Sequence, residues 1–271
     1  MITLIISLVA INLLIIAHEL GHFLLAKFYQ VKIDEFSIGF PPKLLQIKKG
    51  EVIYSINAIP FGAFVKLSED LLPDDKRNFL NKPASQKAII FLGGVLMNIL
   101  IAFIIFVLMF SLGFPKALLP SNYPYQVSTS VSLLKYSLPQ AIVQTGHFMY
   151  YVLIQSLVGL KLAFTKIFLH LDVSDLVGPV GLFALTSQGF KHGLTYGFYI
   201  VGLISYALAI FNLLPIPAVD GGHLLFLIIE KIRRKPISHK AEELITNIVF
   251  ALLIILAVLV TIKDVRFFYL H

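Results

Sequence analysis

Four apolar stretches constrain this chain more than any other feature. They run over Ile2–Ala26, Ala88–Leu112, Tyr196–Ile229 and Leu244–Ile262. A helix needs about 20 residues to cross about 30 Å of hydrocarbon, so each stretch is long enough to span a bilayer. The third is overlong and is interrupted by NLLPIPAVDGG, which predicts a broken helix. A fifth stretch, Gln140–Leu169, is apolar but carries Gln144, His147, Gln155, Lys161 and Lys166; it either spans or lies along the interface as an amphipathic helix, the second being the favoured expectation. The balance of the 271 residues agrees: 58% are hydrophobic and only 14% charged, more apolar surface than a soluble domain can hide. The expected fold is an all-α polytopic membrane protein with about four transmembrane helices, forming one domain over residues 1–271.

The first stretch lacks a basic n-region, so it reads as a retained helix rather than a signal peptide. Orientation follows from the basic residues. The loop after the first span holds ten lysines and arginines, among them Lys27, Lys43, Lys66, Arg77 and Lys87, and the link before the last span holds Lys231, Arg233, Arg234, Lys235 and Lys240. The short loop 113–139 holds only Lys116 and Lys135. The positive-inside rule makes the first two cytoplasmic and the last external, with both termini external. The net charge of +7 then reads as loops facing anionic lipid headgroups. No interleaved stripe of Arg and aromatic residues suggests nucleic acid as a partner.

The cytoplasmic loop has strand character. KLLQIKKGEVIYSINAIPFGAFVKL is rich in Ile, Val, Tyr and Phe, with a Lys49-Gly50 turn and with Pro60 ending the second run. A small membrane-associated cytoplasmic β hairpin plus a third strand is expected at about residues 43–67. Its edge, with Val65 in the segment Phe61–Leu67, is a candidate surface for pairing with an extended peptide.

The chemistry concentrates in HELGH at residues 18–22. His18 and His22 are one helical turn apart and share a face, so both imidazoles can ligate one zinc ion, with Glu19 placed to accept a proton from water. Ionisable residues within a spanning helix are costly and usually functional. Cysteine is absent, so any further ligand must be His, Asp or Glu. Asp220 is the best placed acid in the apolar spans. His22 lies five residues before Lys27, and Asp220 eleven before Lys231, which puts both at a similar depth of roughly 8–17 Å from the cytoplasmic side. The alternative role for Asp220 is capping the helix that begins near Gly222. His223 reads as lining a polar cavity, and the remaining histidines lack ligand-like spacing.

HELGH in a first span and NLLPIPAVDGG in a later one resemble the site-2 protease family of intramembrane zinc metalloproteases. IPFGAFVKL, GPVGLF and DGGHLLFLIIEKIRRKPIS are similar to segments of RseP-type bacterial members. The resemblance implies zinc held by His18, His22 and Asp220, catalysis by Glu19, and contact of Asn212 with the substrate backbone. It also implies single-pass membrane proteins as substrates, for example anti-sigma factors or remnant signal peptides. From the residues alone, Asn212 could equally bond carbonyls freed by Pro215 and Pro217. Three departures stand out. Gly94-Val95-Leu96-Met97-Asn98 replaces the family's Gly-Pro-x-x-Asn, Val219 replaces the usual Leu, and loop 113–139 is too short for the PDZ domains of RseP-type members. The competing functional classes are a transporter or channel using intramembrane His and Asp, and a metal-stabilised scaffold without activity. A transporter does not need the Glu between two histidines.

Overall fold

A computed structural model describes residues 2–68, 72, 74–119, 123, 132–170 and 172–269. Helices dominate. They are α1 (Ile2–Phe28), α2 (Ala84–Leu112), α3 (Leu138–His170), α4 (Pro179–Lys191), α5 (Leu194–Asn212), α6 (Asp220–Arg233) and α7 (His239–Tyr269). Five of them are long and apolar enough to cross a membrane: α1, α2, most of α3, α5 and most of α7. This is one more than the four stretches read from the sequence, because Leu138–His170 forms a single unbroken helix of 33 residues. The overlong third stretch is broken, as its prolines predict. α5 stops at Asn212 and α6 starts at Asp220.

The chain sorts into two compact units. One comprises Met1–Ser7, Leu100–Ala207 and Ile255–His271, and the other Leu8–Ile99 and Leu208–Ile254. The first is centred on aromatic side chains. Phe106, Phe110, Phe114 and Phe148 are fully buried, and Phe110 stacks on Phe114 with ring centroids 4.4 Å apart. Within the same unit Asp264 accepts hydrogen bonds from the Gly178 and Gly181 N–H groups at 2.8 and 2.9 Å, so the GPVG segment starts α4 on a buried carboxylate. Much of the expected external loop, residues 120–122 and 124–131, lies outside the described residues. Its flanks pair as short antiparallel strands, β3 (Phe114–Pro115) and β4 (Leu133–Leu134).

The second unit contains the sheet. β1 (Ile33–Lys49) and β2 (Val52–Leu67) pair antiparallel through a turn at Gly50-Glu51. The sheet is larger than the expected 43–67, since the strand begins at Ile33. Pro60 does not end β2, which bends there and continues to Leu67. The register shows why. Phe36 is opposite both Tyr54 and Val65, and Ser37 is opposite both Ser55 and Phe64. The first half of β1 is thus flanked by both halves of β2, and the expected third strand is the distal half of β2. Proline lacks an N–H for the ladder, so Pro60 falls at the bend.

Alternation along these strands buries Glu35, Ser37, Ser55 and Asn57 together. Ser55 Oγ donates to Glu35 Oε1 at 2.5 Å and Lys43 Nζ donates to Oε2 at 2.7 Å. Burial pushes the Glu35 carboxyl up, but its bonds to Lys43 and Ser55 outweigh that and leave it below the ordinary range. Leu44, Leu45 and Ile47 at the far end of the sheet are exposed. Its near end packs on the helices. Phe23 and Ala26 of α1, Ile33 of β1 and Ile90 of α2 form one buried cluster, with Val65, Leu67 and Phe79 against it.

Candidate active site

α1 and α2 approach each other at glycines. A Cβ on Gly21 would lie 2.1 Å from the Gly93 carbonyl oxygen, and one on Gly93 would lie 2.6 Å from the Gly21 oxygen. Only backbone fits between the helices there, so the His18–His22 face of α1 meets α2 directly. Both imidazoles are then held by α2. His22 Nδ1 donates to the Ile90 carbonyl at 2.8 Å. The side-chain amide of Asn98, fully buried, lies 3.3 Å from His18 Nδ1. With Nδ1 of each ring engaged, both Nε2 atoms face the same point. The Ile90 carbonyl fixes the tautomer of His22, and contact with Asn98 Nδ2 fixes the aim of the His18 ring. Sequence reasoning left Asn98 without a role because its motif departs from the family's. Its spacing of four residues from Gly94 is the signal that pairs them on one helix face.

Asp220 reaches the same point from α6. The segment before it folds back tightly: Val219 N–H donates to the Ile216 carbonyl at 3.2 Å, and Ala218 adopts φ +95°. Side chains at the next two positions are impossible. A Cβ at Gly221 would lie 2.1 Å from the Leu214 oxygen, and one at Gly222 would lie 2.4 Å from the Ile216 oxygen. The Asp-Gly-Gly sequence thus lets the prolyl loop wrap the first turn of α6 and present Asp220. Val219, not Asp220, occupies the N-cap position, and it makes no side-chain cap bond. The Asp220 carboxylate points instead at the imidazoles, with Oδ2 3.1 Å from His18 Nε2 and 3.3 Å from His22 Nε2.

The three ligand atoms form a nearly equilateral triangle, since the two Nε2 atoms are 3.2 Å apart. A tetrahedral ion bound at about 2.0–2.1 Å would separate its ligands by roughly 3.3–3.4 Å, so the residues fit zinc. Gly94 keeps the adjoining space clear. A Cβ there would sit 2.5 Å from His22 Nε2 and 2.6 Å from His18 Nε2. Two imidazoles, one carboxylate and no thiolate make a donor set of the catalytic kind, with room for a fourth ligand.

Glu19 lies beside the trio, with the backbone of Val65 in β2 near its carboxylate. A second contact ties the same strand to α1: Gly62 N–H donates to Asn12 Oδ1 at 3.1 Å. The structure therefore brings five of the six residues singled out from sequence into one neighbourhood, namely His18, Glu19, His22, Asp220 and Val65. Asn212 is the last residue of α5, and its Nδ2 donates to the Leu208 carbonyl at 3.0 Å, a bond within its own helix. His223 is one turn beyond Asp220. It stacks on Phe91 with centroids 4.6 Å apart and lies 3.2 Å from Glu242 Oε1, on the wall of a cavity.

Comparison with known proteins agrees with this geometry. The profile of Peptidase family M50 matches residues 6–256. A Clostridium perfringens protein assigned as a zinc metalloprotease is 32% identical, covering 96% of this chain and 98% of its own. A Clostridium acetobutylicum protein with the same assignment is 30% identical, covering 96% of each chain. The first alignment runs over 330 positions against 96% of 271 residues here, so that relative carries roughly 70 residues without a counterpart. The regulator of sigma-W protease RasP of Bacillus subtilis is 46% identical over 91 residues, 34% of this chain and 22% of its own. The chain belongs to peptidase family M50, the site-2 protease family, and is a multi-pass membrane zinc metalloprotease.

Proposed function

We propose that this protein is an intramembrane endopeptidase that cuts spanning segments of single-pass membrane proteins, with His18, His22 and Asp220 as zinc ligands and Glu19 as the catalytic residue. The observation that carries the reading is the triangle of ligand atoms, 3.1–3.3 Å on a side, centred on the helix Ile2–Phe28. When bound, zinc supplies a Lewis acid that polarises a scissile carbonyl and acidifies water. Glu19 accepts the proton of the attacking water and delivers it to the leaving nitrogen as the peptide bond breaks. The Ile90 carbonyl holds His22 in the ligating tautomer, and Asn98 fixes the aim of the His18 ring.

A helical peptide bond is shielded by its own turn, so the substrate has to open locally. The distal half of β2 is the surface for that opened chain. It lies against α1 beside Glu19, and strand addition supplies main-chain hydrogen bonds largely independent of sequence. Backbone groups freed in hydrocarbon cost several kcal/mol each, which such pairing recovers. The exposed Leu44, Leu45 and Ile47 suit a sheet whose far end meets lipid. The basic flanks of α1 and α6, Lys27 and Lys231, support an active site near the cytoplasmic face.

The test is cleavage of a reconstituted spanning substrate together with metal analysis. Glu19→Gln should keep about one zinc per chain and lose cleavage, because an amide cannot accept the proton. Asp220→Ala should lose the zinc. Full zinc retention by Asp220→Ala sinks the ligand set, and cleavage by Glu19→Gln sinks the general base.

A further inference from the structure

Asn12 lies about two turns before Glu19 on α1, and both ends of its amide are engaged. Nδ2 donates to the Leu8 carbonyl of the preceding turn at 2.9 Å. That bond turns Oδ1 away from the helix, where it accepts the Gly62 N–H of β2 at 3.1 Å. Gly62 is free for this use because the ladder with β1 runs from the Ile33–Leu67 pair to the Ile38–Ala63 pair and stops one residue short of it. Its φ is +82°, and a Cβ there would lie 2.6 Å from Phe40 Cε2, so a side chain does not fit. An amide in a spanning helix and a backbone N–H at a strand bend are both costly to leave unpaired in hydrocarbon, and here each satisfies the other.

The spacing gives this bond its use. Asn12 and Glu19 are seven residues apart, about 10.5 Å along a helix and nearly on one face. Gly62 and Val65 are three residues apart, about 10 Å along a strand. With the backbone of Val65 near the Glu19 carboxylate, Asn12–Gly62 and Glu19–Val65 are matched points on two parallel rods. At the Phe28 end of α1 the sheet is tied by a link of four residues, Tyr29–Lys32. Between the ends, Val65 and Leu67 pack on Phe23 and Ala26, an apolar contact that has no direction of its own. We infer that Asn12 is a positioning residue for cleavage: by holding Gly62 it fixes where the distal half of β2 sits along α1, and with it which bond of a paired substrate strand stands before Glu19. The inference rests on the reading that this half of β2 receives the opened substrate. Without the Asn12 acceptor the sheet pivots on its short link, its deep end slides on α1, and neighbouring substrate bonds come before Glu19 in turn.

The experiment uses the full-length zinc enzyme in phosphatidylcholine vesicles with one synthetic spanning segment, and mass spectrometry of both products locates the cut. The wild type should cut at one bond. Asn12→Leu and Asn12→Ala both lack the acceptor. They should keep about one zinc per chain, lose about 10–100-fold in kcat/KM at that bond, and cut at bonds about one to two residues to either side. Leu13→Ala, at an exposed position of the same helix, should keep the single cut. A merely structural role for Asn12 would slow cleavage without moving it. Wild-type cleavage by both Asn12 variants therefore overturns the inference. So do slower cleavage confined to the wild-type bond, loss of zinc from both variants, equal spreading in Leu13→Ala, or scattered cuts by the wild type itself. In each of these cases slower cleavage by Val65→Pro leaves the substrate-strand reading standing. Cleavage at no bond by zinc-loaded wild type overturns the protease reading instead.

Discussion

Adding one methyl group at Gly94 is the sharpest test of the site geometry. An alanine Cβ there would stand 2.5 Å from His18 Cε1 and 2.5 Å from His22 Nε2, where ordinary contact begins at 3.4 Å. Each imidazole must therefore retreat by about 0.9 Å, against a tolerance of about 0.2 Å for metal–ligand distances. Retreat of α2 offers no relief. It would pull Ile90 from His22 and Asn98 from His18, and separate the backbone contact of Gly21 with Gly93. Loss of outer partners alone typically weakens a metal site 10–100-fold. Displacing two ligands should exceed that, so we expect at least about a 100-fold rise in the zinc dissociation constant, roughly 2.7 kcal/mol. The measurement is zinc competition against a chelator of known affinity in detergent. Gly146→Ala in α3 is the control, because a Cβ there meets nothing within 4 Å. It should leave zinc affinity alone and stabilise the helix by up to about 1 kcal/mol. Wild-type zinc affinity in Gly94→Ala would refute the packing described for α1 and α2.

Asn98→Leu should weaken zinc about 10–100-fold by freeing the His18 ring, read by the same competition assay; unchanged affinity would show that the amide does not orient His18. Val65→Pro should slow cleavage with zinc content unchanged, because it removes the one backbone donor of Val65, at the strand edge near Glu19. Untouched cleavage in folded, metal-loaded protein would exclude β2 as the substrate strand. The Glu35 carboxyl is held below its ordinary value of 4.5, so its contribution to stability is full above that pH and is lost as the pH falls through the lower folded-state value. Acid unfolding monitored by circular dichroism should therefore begin at higher pH in Lys43→Met, and an unshifted acid limb would show that the Lys43–Glu35 pair does not hold the sheet.

The sequence alone determined the class of the molecule and the identity of its chemistry. Apolar length fixes which segments can cross a bilayer, because hydrocarbon thickness is a physical constant of the solvent. The one-turn spacing of His18 and His22 fixes a shared face in any helix, and Glu19 travels with them. The prolines of NLLPIPAVDGG fix a break, because they remove backbone donors. Periodicity also revealed strands near Val65, but placed their start at residue 43 rather than Ile33, and took Pro60 as an end rather than a bend. Tertiary structure decided what long-range contact decides. Asp220 becomes a partner of His18 and His22 only because Gly221 and Gly222 let the prolyl loop wrap α6. Gly94 and Asn98 matter only because Gly21 and Gly93 bring two helices to backbone contact, and a glycine in an apolar run does not announce its neighbour. Local spacing is legible in one dimension, whereas convergence of distant segments depends on packing that no single segment encodes.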